Sequence, residues 1–543
     1  MDATSSDVTL DVNGAPVRAR LGDTLAAALW PARVHGLFCG MGVCNECLVT
    51  VDGQESKRAC MTKVTGPHRI ERQSVPVRLP PLSTEGAAPI LVDDLEVRTP
   101  DLLVIGGGAG GMNAAAIAAE AGLKVVLVDE RAKLGGQFFK QPGDNHAYSD
   151  SQTEGGRARI ERVHRAGVEV ISGAEAWGAF APLTVGVTTA AESLLFKPRR
   201  LIVATGAYER GLAVPGWTLP GVMTTGAAQT LFKTDGVLPG KRILVCGNGP
   251  LNPQVALELA RAGAEVAAVV EAASKPGLAH AAALMSMAAN GLDLLASGMS
   301  MMAELKRRGI PLLHGDRLAR VDQEGALAAT LASGKRFTVD AVLMGYGFLP
   351  SNELLRALGC RHEYDAARDQ LVTLRDETCE TSVPGVHAIG DCCGLGGAKA
   401  AADEGVIAGA AVVRALGGTP PPVELAAARV SLQRSRRFQR ALWQVFAASR
   451  PLPSQPDAIV CRCEQVTLGA VTVALADGDP DIGEVKRRTR LGMGRCQGRY
   501  CASALAGLLG DRQGRIVDEL AFFAPRVPAK PVSIGDLVRV AKR

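Results

Sequence analysis

From Val8 to Arg20 apolar and polar positions alternate about Asn13-Gly14, a dipeptide that tolerates the left-handed conformations of a tight turn, so an antiparallel hairpin is predicted. A helical run, TLAAALW, follows, with Asp23 as its predicted cap. The pattern changes at Asp101. DLLVIGGGAGG passes from a continuous apolar strand through a glycine turn into a helix, and KVVLVDE supplies a second continuous apolar strand. Unbroken apolar runs mark strands covered on both faces, which is the mark of a parallel sheet. RILVCGNGPLN starts the same arrangement again at Arg242, and GVHAIGD, ending at Asp391, reads as a return strand of the first unit. The second unit is therefore expected to be inserted into the first. Gln73 to Pro100 is proline-rich and aperiodic, a linker, and a basic helix is expected from about Ala426 to Ser449. The most apolar stretch, Ala281 to Met302, is interrupted by Asn290, Gly291 and Asp293, which favours a buried or amphipathic helix over a direct membrane span.

These elements predict a multidomain α/β protein. A β-grasp module takes residues 1–85, and a first Rossmann-like dinucleotide-binding domain takes 97–235 and 336–416. A second, nested one takes 236–335, a linker helix 417–450, and a small helical domain with a tail 451–543. A length of 543 residues fits several domains. A net charge of +5 with 21% charged and 47% hydrophobic residues argues against a nucleic-acid partner and against disorder. The first residues, MDATSSDVTL, lack a basic region followed by an apolar core, so a cytoplasmic location is expected.

In that compartment the 13 cysteines read as ligands before disulfides. Cys39, Cys44, Cys47 and Cys60 follow the Cys-x4-Cys-x2-Cys spacing of plant-type [2Fe–2S] ferredoxins, in a glycine-bearing loop able to wrap a sulfide cluster. Cys461, Cys463, Cys496 and Cys501 form a second set, the last two within GMGRCQGRYC, similar to the cluster domain named after bacterioferritin-associated ferredoxin. Zinc is the alternative metal for four thiolates. Lys486, Arg487, Arg488, Arg490, Arg495 and Arg499 crowd the second set, so its cluster is expected to have the higher potential, unless these cations only solvate a face.

Gly106, Gly108 and Gly111 lie between strand and helix, where a pyrophosphate can approach the helix N-terminus, and Asp129 stands at the next strand end within reach of a ribose. LGGQ (134–137), VATG (203–206) and GVHAIGD match the two-dinucleotide-binding flavoprotein family, which favours FAD at this site, although some relatives hold another adenine nucleotide. In the second unit, Gly247 and Gly249 are followed by Asn252 where Gly or Ala is usual, so NAD at Glu271 is open between occupied and vestigial. Neither unit carries a redox Cys-x2-Cys or Cys-x4-Cys pair, which removes disulfide reduction.

Along almost its whole length the chain resembles the larger subunits of the octopine and nopaline oxidases, hydrogen cyanide synthase and the dye-linked proline and hydroxyproline dehydrogenases, with a ferredoxin-like module fused to it. The resemblance implies two [2Fe–2S] clusters, and FAD held by Gly106, Gly108, Ala109, Gly110, Gly111, Asp129, Glu130, Gly135, Gly136, Gln137, Thr205, Gly206, Gly390 and Asp391. Asp391 would meet the ribityl chain, and an FMN would lie at a subunit interface. It also implies a D-amino-acid-oxidase-like FAD partner that oxidises the amine, opine or imino acid, and a quinone or other respiratory acceptor reached through partners at the inner membrane. No catalytic residue is expected in this chain. Rival readings are an NADH-dependent reductase that feeds the clusters, and a non-catalytic electron-transfer scaffold.

Overall fold

A computed structural model describes residues 7–33, 36–73, 97–448, 452–476, 478, 480–514 and 517–532. Most of the predicted linker, 74–96, lies outside the described residues, as do the ends of the chain.

The N-terminal module is a five-stranded sheet in the order β2-β1-β5-β3-β4, built from β1 (Asp7–Val12), β2 (Ala15–Arg20), β3 (Leu48–Val51), β4 (Gln54–Arg58) and β5 (Arg69–Arg72). Asn13 and Gly14, at φ of 51° and 85°, close the β1–β2 hairpin. Helix α1 (Leu25–Leu29) lies across the sheet. Its cap is Thr24 rather than the expected Asp23: Thr24 Oγ1 accepts from Ala27 N at 3.1 Å, while Asp23 pairs with Arg20 and Asn145.

The first parallel sheet has the order β26-β13-β7-β8-β9, from Val386–Ala388, Arg200–Val203, Leu102–Ile105, Val125–Asp129 and Glu169–Ser172. The late arrival of β26 confirms that the chain leaves this sheet and returns to it. Helices α2 (Ala109–Glu120) and α3 (Ser151–Arg165) connect its strands. Helix α8 (Gly397–Ala415) packs along α2 so closely that a Cβ on Gly405 would stand 2.2 Å from Gly110 O, and one on Gly409 2.9 Å from Ala114 O. The paired positions rise together, so the two helices run parallel and point their N-termini at the same end of the sheet. A smaller sheet, β6 (Val97–Arg98) with β10 (Glu175–Phe180), β11 (Thr184–Thr188) and β12 (Ser193–Phe196), covers the other face.

The second parallel sheet has the order β15-β22-β16-β17-β18, from Val222–Thr224, Ala341–Gly345, Arg242–Gly247, Glu265–Glu271 and Leu312–His314. It reaches beyond the expected 236–335. Val222–Thr224 and Ala341–Gly345 flank the inserted segment and pair into its sheet, because their apolar residues complete its core. Helices α4 (Thr225–Asp235), α5 (Leu251–Arg261) and α6 (Ala281–Arg307) belong to the same unit, with an antiparallel flap of β19 (Leu318–Glu324), β20 (Ala326–Leu331) and β21 (Arg336–Val339). Two short ribbons, β14 (Ala207–Glu209) with β23 (Phe348–Pro350) and β24 (His362–Asp365) with β25 (Gln370–Thr373), join the two units beside α7 (Glu353–Ala357).

Helix α9 (Pro422–Val445) packs against α6, and Phe438 fills the place a Cβ on Gly291 would take, 2.7 Å from its ring. That contact marks the break that Gly291 introduces in α6. The outer face of α6 stays apolar and exposed at Met285, Leu292 and Met299. By length and composition, Leu278–Arg307 is the one helix among the described residues able to cross a membrane. The C-terminal module consists of β27 (Ile459–Cys461), β28 (Val466–Thr467), α10 (Leu468–Ala476), α11 (Ile482–Thr489) and α12 (Ala502–Gln513) around a small core of its own.

Candidate functional site

The first cysteine set is shaped by backbone. Gly40 and Gly42, at φ of 59° and 73°, and Asn45 at 55° curl the loop so that amides face sulfur. Cys39 Sγ accepts from Met41 N at 3.5 Å and from Cys44 N at 3.4 Å; Cys44 Sγ accepts from Glu46 N at 3.4 Å, and Cys47 Sγ from Cys60 N at 3.5 Å. Cys39 also bonds Cys44, and Cys47 bonds Cys60. In the second set the sulfurs of Cys461 and Cys463 are 3.9 Å apart, those of Cys463 and Cys496 3.6 Å, and Cys501 bonds Cys461. Among the described residues no three or more His, Cys, Asp or Glu are placed to hold a metal ion together. The first set meets as two pairs and the second as one chain of four, and in each case four thiols brought together fit a [2Fe–2S] centre in which each of two irons takes two protein ligands.

The two loops touch. Phe38, beside Cys39, meets Trp217 and Tyr500 edge-on, each at 5.4 Å between ring centroids, and Tyr500 is the neighbour of Cys501. Arg462, between Cys461 and Cys463, lies 4.2 Å over the Phe38 ring and 5.0 Å from that of Trp217, and its Nε reaches Glu46 Oε2 at 3.3 Å. Asn45 Nδ2 donates to Arg495 O at 3.4 Å. Residues 39 and 501 thus end up in one neighbourhood. Three of the six cations that crowd the second set are spent on carboxylates: Arg488 on Glu484, Arg490 on Glu464, and buried Arg499 on Glu353.

Helix α4 links the first loop to the first nucleotide fold. A Cβ on Gly40 would lie 3.1 Å from Ala227 Cα, and Thr224 N donates to Phe38 O at 2.8 Å. One turn further on, Thr230 accepts from Lys140 Nζ at 2.8 Å, and Lys140 also donates to Gln137 Oε1 at 2.7 Å. Burial among these neutral partners pushes the Lys140 ammonium well below its usual range. Beside them, Glu209 accepts from Gly226 N at 2.8 Å, and burial raises its carboxyl to about 7.

In the first fold, Gly111 is obligatory because a Cβ there would stand 1.8 Å from Gly106 O. A Cβ on Gly108 would meet nothing within 4 Å, which leaves the space above the α2 N-terminus free for a phosphate. A Cβ on Gly136 would stand 2.9 Å from Gly108 Cα, and Gly135 turns the chain before it. Ala109 and Gly110 form the first turn of α2. Asp129 pins this loop by accepting from Gly107 N at 2.6 Å and Arg131 N at 2.7 Å. Gly206 O accepts from Ser351 N at 2.9 Å, and Thr205 Oγ1 donates to Ser351 O at 2.6 Å. Asp391 Oδ1 accepts from Gly396 N at 2.9 Å and Gly397 N at 2.8 Å at the start of α8. Gly390 N donates to Glu404, whose carboxylate is held by Arg375 at 2.6 and 2.9 Å. These positions fit an adenine–flavin dinucleotide stretched between two parallel helix N-termini. A cavity of about 760 Å³, lined by Leu134, Pro142, Ile160 and Val170, opens beside them without reaching Gly108 or Asp129. Glu130, one of the expected ligands, is paired with Lys530, in a group with Glu175 and Arg58 that ties the tail to the N-terminal module.

The second fold is filled differently. Glu271 pins its loop as Asp129 does, accepting from Gly249 N at 3.0 Å, and burial raises its carboxyl to about 7. The Asn252 side chain is fully buried against β22, accepting from Thr225 Oγ1 and donating to Gly345 O, both at 3.0 Å. Its Nδ2 would stand 2.5 Å from a Cβ on Gly247. Asn248 Nδ2 donates to Phe446 O at 2.9 Å, so the end of α9 lies on the glycine loop where a dinucleotide would enter.

Residues 100–405 match the model of the pyridine nucleotide-disulphide oxidoreductase family. The chain belongs to that family. That match is flanked by two others: residues 5–75 match a 2Fe-2S iron-sulfur cluster binding domain, and 459–511 a BFD-like [2Fe-2S] binding domain. It is 30% identical over 451 residues to an opine oxidase subunit of Rhizobium meliloti (strain 1021), covering 80% of this chain and 98% of that protein. With hydrogen cyanide synthase subunit HcnB of Pseudomonas aeruginosa it shares 30% over 453 residues, 79% of this chain and 96% of the other. L-Proline dehydrogenase from P. horikoshii has the same fold, with a TM-score of 0.72 over 99% of this chain and 98% of that one at 20% identity. The chain is a flavin and iron–sulfur oxidoreductase. All 13 of its cysteines are free thiols, and Cys246, the nearest to the second glycine loop, is buried alone in β16.

Sequence reasoning passed over Arg462, Phe38, Lys140, Glu404 and Lys530. Adjacency to a cysteine ligand was the available signal for the first two. For the others there was none, since their partners lie 90, 29 and 400 residues away.

Proposed function

We propose that this chain is the flavin and iron–sulfur electron-transfer subunit of a heteromeric dehydrogenase acting on the C–N bond of an amino acid, opine or imino acid. The observation that carries the reading is the continuity of the three sites: the two cysteine loops share one wall, and the first rests on α4, whose next turn meets the flavin-type motif through Lys140. A bound flavin exchanges electrons in pairs or singly, and an iron–sulfur cluster exchanges them singly.

In this reading Cys39, Cys44, Cys47 and Cys60 hold one [2Fe–2S] cluster and Cys461, Cys463, Cys496 and Cys501 the other. Gly106 to Gly111 and Gly136 admit the pyrophosphate of FAD, and Asp391 faces its ribityl chain. Asp129, Glu404 and Arg375 do not touch the reacting ring; they keep the glycine turns in place. The opine oxidase and HcnB relatives are subunits by name, which supports a partner here. That partner is a D-amino-acid-oxidase-like FAD subunit, with an FMN at the interface and a quinone or other respiratory acceptor beyond, reached in the cytoplasm at the inner membrane. Asn252 and the α9 end support leaving NAD out of the cycle.

The test is purification of the chain with whatever accompanies it, followed by flavin, iron and sulfide analysis and mass spectrometry of the companion. About four irons per chain and an amine-oxidising flavoprotein companion are expected. A companion-free protein whose flavin is bleached by NADH would overturn the reading in favour of a reductase; two clusters without flavin would reduce the chain to a scaffold.

A further inference from the structure

Arg462 occupies an unusual place for a charge. It is 6% exposed, flanked in sequence by two cysteines of the second set, and its guanidinium faces the first set. Its Nη1 donates to Trp217 O at 2.5 Å, and its carboxylate partner among the described residues, Glu46 at 3.3 Å, lies between Cys44 and Cys47 and is itself partly exposed. The planar group covers Phe38 at 4.2 Å, one residue from Cys39. Trp217 is anchored in turn by Nε1 to Ile459 O at 2.7 Å, two residues before Cys461. Tyr500 completes the wall, and its buried hydroxyl has no hydrogen-bond partner among the described residues. Arg488 and Arg490 face carboxylates of their own module, Glu484 and Glu464, and Arg499 faces Glu353 at the start of α7.

We propose that Arg462 is a positioning residue common to both cysteine sets, which clamps the two loops together and stabilises added negative charge on either of them. The inference rests on the reading that each set holds a [2Fe–2S] cluster. Reduction adds one electron to a cluster and makes it more negative. A fixed cation in a low-dielectric wall favours that state, and it does so for every cluster within a few ångströms of it. One arginine therefore moves two potentials in the same direction. Without its stacking and its bond to Trp217 the wall would also loosen, since a guanidinium over an aromatic ring packs as well as attracts.

The experiment is an EPR-monitored redox titration of the full protein with dithionite as reductant, comparing wild type with Arg462→Gln, Arg462→Lys, Glu46→Gln and Arg490→Gln. Arg462→Gln is expected to lower both midpoint potentials by about 59 mV, a tenfold change in each one-electron equilibrium. Arg462→Lys, which keeps the charge, restores most of both. Glu46→Gln raises both, because it frees the arginine of its counter-charge. Arg490→Gln leaves the N-terminal cluster where it was. A shift of only one cluster in Arg462→Gln, or of neither, overturns the inference. Should Arg462→Gln fail to retain its iron, opposite signs for the two clusters in Glu46→Gln, or no shift in it, would overturn it equally. Wild-type protein that shows no pair of [2Fe–2S] signals would refute the iron–sulfur reading itself, an outcome visible before any variant is compared.

Discussion

Two glycines of the first turn separate packing from binding. Gly108 caps α2 at φ −77° and ψ −168°, a conformation any residue adopts, and a Cβ there meets nothing within 4 Å. Gly108→Ala therefore trades a poorer helix cap, about 1 kcal/mol, against the lower entropy of the unfolded alanine chain, about 0.4–1 kcal/mol. The ligand-free protein should keep its stability within about 1 kcal/mol by that reckoning. The new methyl occupies the space left for the pyrophosphate. A hundredfold loss of affinity would remove about 2.7 kcal/mol of ligand-dependent stabilisation at concentrations that otherwise saturate. Gly111→Ala behaves in the opposite way. Its Cβ stands 1.8 Å from Gly106 O and 3.3 Å from Val104 Cγ1, so strand and helix must part, at 1–3 kcal/mol or more for the ligand-free protein (roughly, as for overpacking). The assay is thermal unfolding with and without added FAD, together with the flavin-to-protein ratio. Gly108→Ala that binds flavin as wild type does, or Gly111→Ala as stable as wild type without ligand, would refute the reasoning.

Asn252→Ala leaves Thr225 Oγ1 without its buried acceptor and takes one of two donors from Gly345 O, which keeps Asn248 N at 2.8 Å, and should cost about 1–3 kcal/mol, read by denaturant unfolding. Calorimetric titration of NAD into that variant should show no binding, because Phe446 still covers the loop through Asn248; saturable binding would count against the blocked second fold. Glu271, raised to about 7 from 4.5, contributes stability that is complete below pH 4.5 and lost as pH rises through 7. Glu271→Gln should flatten that pH dependence at the cost of one of the two N–H bonds the carboxylate accepts, from Gly249 and Ala273, and unchanged pH curves would contradict the burial argument. Stripping iron with a chelator under reducing conditions should raise amide exchange in 459–511 far more than in the two parallel sheets, since that module has only a small core to fall back on.

The modules were readable from the chain because each depends on near neighbours in sequence. The Asn13-Gly14 turn, the apolar runs at 102–105 and 243–246, and the glycines at 106, 108 and 111 act over a few residues, so spacing alone identifies them. The misread cap follows the same logic. Asp23 and Thr24 are both competent caps, and the choice fell to Thr24 because Asp235, 211 residues on, bonds its N–H and hydroxyl while Arg20 and Asn145 engage Asp23. Glu130 shows the same limit: a carboxylate after a Rossmann strand has the right address for a ribose, and its pairing with Lys530 from the far end of the chain leaves no local trace in the sequence.

The two cysteine groups and the nested order of the two folds were determined by the sequence itself, since cysteine spacing and hydrophobic period are local quantities. Only the tertiary structure decided that the two cysteine loops share Arg462, Phe38 and Tyr500, that α4 connects the first loop to Lys140, and that the second glycine loop packs with Asn252 and the end of α9. Each of those joins residues dozens to hundreds of positions apart, and the surfaces that bring them together exist only once the separate cores have formed and packed.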